Sequence, residues 1–477
     1  MRVRNLALLC AAALTTTGLA LSAASPATAQ PAGTGSDFNG DGYTDLAVGV
    51  PAATVAGHAK AGYVNVVWGG AGGPGKHGST TISQNSPSIP GTSESGDRFG
   101  SALSPADLNG DGYADLAVSA PDETLDVPGE HYEGAVYVLW GSAHGLTSGT
   151  TTAKGGHDEA HIGALLATGD YDHDGRTDVT YSSSSEEGAA LFLRTPGGAA
   201  PTVVRNWHFA GPTALATADF DGDGGDDLAV TYSGMEDQGT FVMTKTAGGD
   251  GDGWRTTWST PDHGAALAAG DFDADGTQDL AIGLVRPNSE VETTYCPQRL
   301  GGAVALVLGK PGTTLGGAAG CTTQDSPYVG GAAEAADDFG ASLATVHDTV
   351  HDGHDALLVG TPHEAVGAET AAGAYTYLEK AYGEPRFLGS NQTTQNSSQV
   401  AGTAEAGDRF GATLAAADYD GDRLADFAIG APGENGSTGG VWFHKTDEEP
   451  PYPDTVALTP TKLGLSGAVG YGTALAR

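Results

Sequence analysis

Six segments of the chain carry oxygen-bearing side chains at one repeated spacing, at positions one, three, five and nine of a short loop. They are Asp37, Asn39, Asp41 and Asp45; Asp107, Asn109, Asp111 and Asp115; Asp170, Asp172, Asp174 and Asp178; Asp219, Asp221, Asp223 and Asp227; Asp271, Asp273, Asp275 and Asp279; and Asp418, Asp420, Asp422 and Asp426. Position six is Gly in the first five and Arg423 in the last. Donors at one, three and five with a Gly at six match the first half of an EF-hand loop, where the Gly permits the sharp turn. The bidentate Glu at position twelve is replaced here by the carboxylate at nine. Hard oxygen donors of this kind select Ca²⁺ over soft metals, so Ca²⁺ is the expected cofactor, with a structural role. One such loop alone is also readable as a metal-free Asx turn. Recurrence at constant spacing favours the cation.

The elements around these loops have a period of two. Each loop runs into a short apolar stretch, as in Leu46 to Pro51 and Asp426 to Pro432. Eight residues before the first Asp stands an aromatic-Gly pair or its remnant, clearest at Phe99-Gly100, Phe339-Gly340 and Phe410-Gly411. After each loop an alternating strand follows a Gly, as in Gly62 to Trp68, Gly134 to Trp140 and Gly302 to Leu308. Alternation bounded by Gly and Pro is a strand signal. A seventh, degraded copy lies between Phe339 and Pro362. Its first ligand position is His347 counted from Phe339 and Asp348 counted back from Pro362, and either register loses acidic ligands. Repeat spacing varies from about 50 to about 77 residues, which places insertions in loops.

Four antiparallel strands per repeat make a propeller blade. The expected fold is therefore all-β: a seven-bladed propeller of four-stranded antiparallel blades. Tyr471-Gly472 near the C-terminus repeats the aromatic-Gly strand and then stops. The first Asp loop lacks that strand, so the two chain ends are expected to share one blade. Such closure removes open sheet edges.

The Phe-Gly pairs, the Gly-Ala-Pro ends such as Gly430-Ala431-Pro432, and the Asp loops between them resemble the FG-GAP repeat of integrin α-chain propellers and of bacterial secreted proteins. The resemblance runs from about Ser36 to Leu475. It implies the propeller fold. It implies little about activity, since the family spans adhesion receptors, an accessory domain of a phospholipase, and proteins with no assigned activity.

Composition narrows the function. Asp plus Glu number 59 against 21 Lys plus Arg, a formal net charge of −38. Such a surface repels phosphate backbones and argues against nucleic acid. Residues 1–29 read as a signal peptide: Arg2 and Arg4, an apolar stretch from Leu6 to Leu21, and Ala27-Thr28-Ala29 before cleavage. No other segment reaches the roughly 20 apolar residues of a membrane span. A secreted, extracellular chain is expected, with residues 30–477 as a single propeller. In an oxidising compartment Cys296 and Cys321 are expected to pair, with two free thiols as the alternative.

No catalytic constellation stands out. His157-Asp-Glu-Ala-His161 lacks the order of a zinc-protease helix, and its register puts His161 in a blade-entry loop. No nucleophile elbow is present. Trp68, Trp140 and Trp442 fall on third strands, where core packing is expected. His347, His351 and His354 are expected to be solvated. The sequence thus points to an extracellular binding, adhesion or scaffold protein, monomeric, with a protein or glycan ligand. The alternative is a hydrolase or lyase acting on polysaccharide or ester from a propeller face.

Overall fold

The structure is a computed structural model. It describes residues 35–125, 132–185, 188–195, 197–198, 200–235, 237–245, 253–285, 295–297, 299–310, 312–316, 319–347, 353–380, 386–389, 392–446 and 455–476. The expected leader over residues 1–29 lies outside these. So do Asp348, His351 and Asp352 of the degraded loop.

Twenty-eight strands form seven antiparallel sheets of four among the described residues. Blade 1 contains Leu46–Val50, Tyr63–Val67 and Ser79–Ile82, and takes its first strand, Ala474–Leu475, from the other end of the chain. Val48 pairs with Leu475 and Gly49 with Ala474. The first strands of blades 2 to 7 are Leu103–Ala106, Leu166–Gly169, Ala210–Ala218, Ala266–Gly270, Ser342–Val346 and Thr413–Ala417. The expected fold and its closure are both present.

Second and third strands are buried on both faces, as in Asp115–Ala120 and Ala303–Val307. The apolar core is accordingly split into seven clusters, one at each blade junction. Phe38, Val64, Leu116 and Tyr137 fill the junction of blades 1 and 2, and Val50, Ala428, Val441 and Tyr471 that of blades 7 and 1. A ring of such junctions has no free sheet face, which is why these strands are apolar on alternating and intervening positions alike.

The motif glycines explain how blades come so close. Gly100 has φ +89°, a conformation that costs Gly nothing. Its carbonyl oxygen lies so close to Gly49 that a Cβ there would clash with it. Gly430 meets the Gly472 carbonyl in the same way at the closing junction. Tyr471 stands in for the Phe of the pair: it bridges Gly439 as Phe410 bridges Gly373. It is fully buried, and its hydroxyl donates to Asn65 Oδ1 at 2.9 Å across the junction.

His157 to His161 form turns, not a helix. His161 Nδ1 sits 2.7 Å from Asp122 Oδ1, beside Arg98. Trp442 is buried and donates its indole N–H to the Ala401 carbonyl, while Trp68 packs against the junction core. Cys296 and Cys321 form a disulfide with Cα atoms 5.3 Å apart, as expected. No helix among the described residues is long and apolar enough to cross a membrane.

Because Tyr471 fills the closing junction, Tyr471→Ala is expected to lower unfolding free energy by about 3–5 kcal/mol. Tyr471→Phe loses only the hydrogen bond and leaves the Asn65 Oδ1 atom without its donor, at about 1–3 kcal/mol. Denaturant unfolding checks the order. Equal, negligible losses would contradict closure by this strand.

Candidate metal centre

Each Asp loop is wound around its first carboxylate. Asp37 Oδ1 accepts the amides of Gly40 and Asp41 at 2.7 and 3.2 Å, and Oδ2 accepts that of Gly42 at 2.9 Å. Asn39 Oδ1 accepts Asp41 N–H and Asp41 Oδ1 accepts Tyr43 N–H. Asp107, Asn109 and Asp111 repeat every one of these bonds. Asp219 and Asp418 do so with Gly222, Asp223 and Gly224, and with Gly421, Asp422 and Arg423. Asp221 and Asp420 accept Asp223 and Asp422. Asp170 and Asp271 hold Asp174 with Gly175, and Asp275 with Gly276. Arg423 takes φ +77°, so the loop keeps its path without Gly.

The ninth residue does a second job. Asp45 accepts Phe38 N–H at 3.0 Å and Gly69 N–H at 2.9 Å, tying the loop to the end of the third strand. Asp115, Asp279 and Asp426 make the equivalent pairs, with Leu108 and Gly141, Phe272 and Gly309, and Tyr419 and Thr446. Asp227 holds Phe220. The position therefore carries the hairpin whether or not it meets an ion.

The donor sets fit a hard divalent cation. Three carboxylates converge within 4.8 Å at Asp170, Asp172 and Asp174; at Asp219, Asp221 and Asp227; at Asp271, Asp273 and Asp279; and at Asp418, Asp420 and Asp426. The first two loops offer an Asn oxygen in place of one carboxylate. Buried carboxylate oxygens at Asp172, Asp178 and Asp273 have no hydrogen-bond partner. Such orphans are costly unless something positive or donating meets them.

Burial, with like charge from the loop, pushes the ninth carboxylates up: Asp45 and Asp279 to about 7, Asp115 and Asp178 to about 6, Asp227 and Asp426 to about 8. A cation in the loop would oppose that rise.

Three loops already contain a positive group, which the sequence analysis missed. Lys445 Nζ lies 2.5 Å from Asp420 and 2.9 Å from Asp422. Lys245 lies 3.3 Å from Asp172, and Lys380 3.8 Å from Asp273, each reaching the third-position Asp of the preceding blade. The only sequence signal is their place at the ends of third strands. Among the described residues, no Lys or Arg forms an ion pair with the loops of blades 1, 2 and 4; there only His173 approaches, at Asp223.

The degraded loop is one residue longer than the rest. Ala417 pairs with Asp426, enclosing residues 418–425, whereas Val346 pairs with Ala356, enclosing 347–355. Both sequence registers hold, each at its own end, and Ala356 stands at the ninth position. Asp355 instead accepts the Asp271 amide of the neighbouring loop at 2.9 Å. Asp226 does the same for Asp170, so it turns away from its own loop.

The first strands carry no Asp, Glu, His, Lys or Arg. Their hydroxyls serve adjacent blades, as Thr345 does for the Ala269 carbonyl of the preceding blade and Thr413 for Gly472 of the following one. Acid–base groups are thus absent from the ring's innermost strands.

The raised carboxylates make a pH prediction for metal-stripped protein. Folded Asp227 and Asp426 keep their protons up to about pH 8, whereas in the unfolded chain they ionise near the ordinary Asp value of 3.8. Unfolding then releases protons, so these groups cost stability increasingly from about pH 4 to about pH 8. The melting temperature without metal should fall across that range. A flat or rising profile would contradict burial of these carboxylates.

Comparison with known proteins agrees with this geometry. A model of the FG-GAP repeat matches residues 99–139 and 410–444, and one of the FG-GAP-like repeat matches residues 37–118. Phosphatidylinositol-glycan-specific phospholipase D of Mus musculus is 35% identical over 153 residues, covering 31% of this chain and 18% of that protein. Integrin alpha pat-2 of Caenorhabditis briggsae is 37% identical over 106 residues, covering 21% of this chain and 8% of the integrin. The match therefore spans less than a fifth of either relative. A Bacteroides fragilis protein solved as a candidate 6-phosphogluconolactonase aligns over 90% of this chain and 97% of its own, at 10% identity and a TM-score of 0.46, too low to carry an argument. Motifs, blade count and ring closure agree with these matches: the chain carries FG-GAP repeats in a seven-bladed propeller.

Proposed function

We propose that the chain is a secreted, monomeric binding protein whose blade hairpins are stabilised by Ca²⁺. The observation that carries this reading is the convergence of three carboxylates within 4.8 Å in loops of fixed donor order, as at Asp219, Asp221 and Asp227. Bound Ca²⁺ would supply charge neutralisation. Residues one, three, five and nine of each loop would hold it, with residue one folding the loop around it. The loops of blades 1, 2 and 4 would load most readily, because no ammonium group competes there. The signal-like N-terminus and the Cys296–Cys321 bridge support an oxidising, extracellular setting.

With the hairpins committed to calcium, the blade-entry loops at the opposite ends of the blades are the surface left for a protein or glycan ligand. The phospholipase and integrin relatives are compatible with a binding module on a larger protein or alone. The alternative, a hydrolase or lyase, would have to draw its acid–base groups from a propeller face, since the first strands carry none.

Melting with and without Ca²⁺ tests the proposal. At 100 times the dissociation constant each loaded site adds about 2.7 kcal/mol, so the midpoint should rise by several degrees. Asp219→Asn with Asp221→Asn should remove one bound equivalent, and Lys445→Met should tighten binding in blade 7. A melting temperature indifferent to chelator would sink the structural role of calcium.

A further inference from the structure

A second acidic constellation lies away from the Asp loops. Glu94 and Asp97 precede the first strand of blade 2, and Glu123 follows its second strand, Asp115–Ala120. In an antiparallel blade that is the end opposite the loop joining strands one and two. The three side chains place a carboxylate oxygen each within 4.8 Å of one another. Asp97 is 1% exposed and Glu123 5% exposed, while Glu94 opens to solvent. Asp97 Oδ2 accepts the Glu94 amide at 2.5 Å, which closes the turn that brings them together.

Gln84, arriving from the outer strand of blade 1, supplies the second observation. It is 2% exposed. Its Nε2 donates to Glu123 Oε2 at 2.5 Å and to the Tyr137 hydroxyl at 3.1 Å, so the amide lies against the cluster. Its Oε1 is buried with no hydrogen-bond partner. A buried amide oxygen without a partner calls for a donor or a cation. Arg98, the nearest cation in sequence, is turned to Asp122.

The arrangement recurs. Gln324 holds Glu364, and Gln395 holds Glu434, each at 2.7 Å, and Glu334 and Glu405 are capped by Asp337 and Asp408 at 2.7 Å. Gln324 Oε1 and Gln395 Oε1 are also buried and unpartnered. The tightest convergence is at blade 2, and the inference concerns that copy.

We propose that Glu94, Asp97, Glu123 and the Gln84 amide oxygen form a site for a hard divalent cation on the face opposite the Asp loops. Three carboxylates and one amide oxygen are the donor chemistry of Ca²⁺. The ion would join the exit of blade 1 to the entry of blade 2, with Glu94 on the solvent side.

The test counts Ca²⁺ equivalents by calorimetry on the full chain, with Tb³⁺ luminescence as a second readout. Glu94→Gln, at an exposed position, should weaken one class of site at least tenfold. Glu123→Gln should remove one equivalent. Tyr137→Phe should dim the Tb³⁺ signal without removing an equivalent, because Tyr137 touches Gln84. The hairpin variant Asp219→Asn with Asp221→Asn removes a different equivalent, so failure of either site is read separately. If Glu94→Gln and Glu123→Gln both leave the number and affinity of bound ions unchanged, the cluster is only a proton-sharing network and the proposal is overturned.

Discussion

The ring rests on backbone meeting backbone where one blade abuts the next. At four junctions, Gly49–Gly100, Gly283–Gly340, Gly360–Gly411 and Gly430–Gly472, a carbonyl from the aromatic-Gly turn sits against the Cα of the preceding blade's second strand, closer than a side chain there would allow. Glycine on both sides of that contact sets how tightly the sheets stack, and the aromatic beside it fills the space below. Phe99, Phe339, Phe410 and Tyr471 are each fully buried there. The seven separate cores follow from this spacing. Each is lined by two blades, and none is shared by the whole molecule.

The same economy appears in the Asp loops. Their first carboxylates, and the ninth in every loop but that of Asp178, accept backbone amides and so shape the hairpin before any ion arrives. That is the reason Arg423 is tolerated: its amide still reaches Asp418. The cost is a set of buried acidic groups with raised proton affinity. Blades 3, 5 and 7 offset part of it with Lys245, Lys380 and Lys445, whereas blades 1, 2 and 4 leave it to solvent or metal.

Chemistry is distributed unevenly over the molecule. One end of the blades carries the Asp loops. The other carries the Gln-Glu-Asp clusters and the entry turns with Arg98, Asp122 and His161. The first strands between them are apolar or hydroxylic and spend their polar atoms on neighbouring blades. The innermost strands thus add no ionisable group between the two faces.

Most of the fold was legible in the chain because it is written in short-range patterns. Strand period, loop donor spacing and the aromatic-Gly pairs are local, and local patterns survive without tertiary information. They determined the blade number, the shared closing blade and the ligand positions proposed for calcium. The degraded loop was legible only as two conflicting counts, since a one-residue insertion shifts the register between its ends; strand pairing at Val346 and Ala356 resolved it. What the tertiary structure alone decided concerns contacts between blades. Lys245 and Lys380 reach carboxylates 73 and 107 positions away, as 245 less 172 and 380 less 273. Gln84 meets Glu123 across a junction. No spacing rule links such residues, because insertions between repeats change their separation while the ring holds them at the same distance in space.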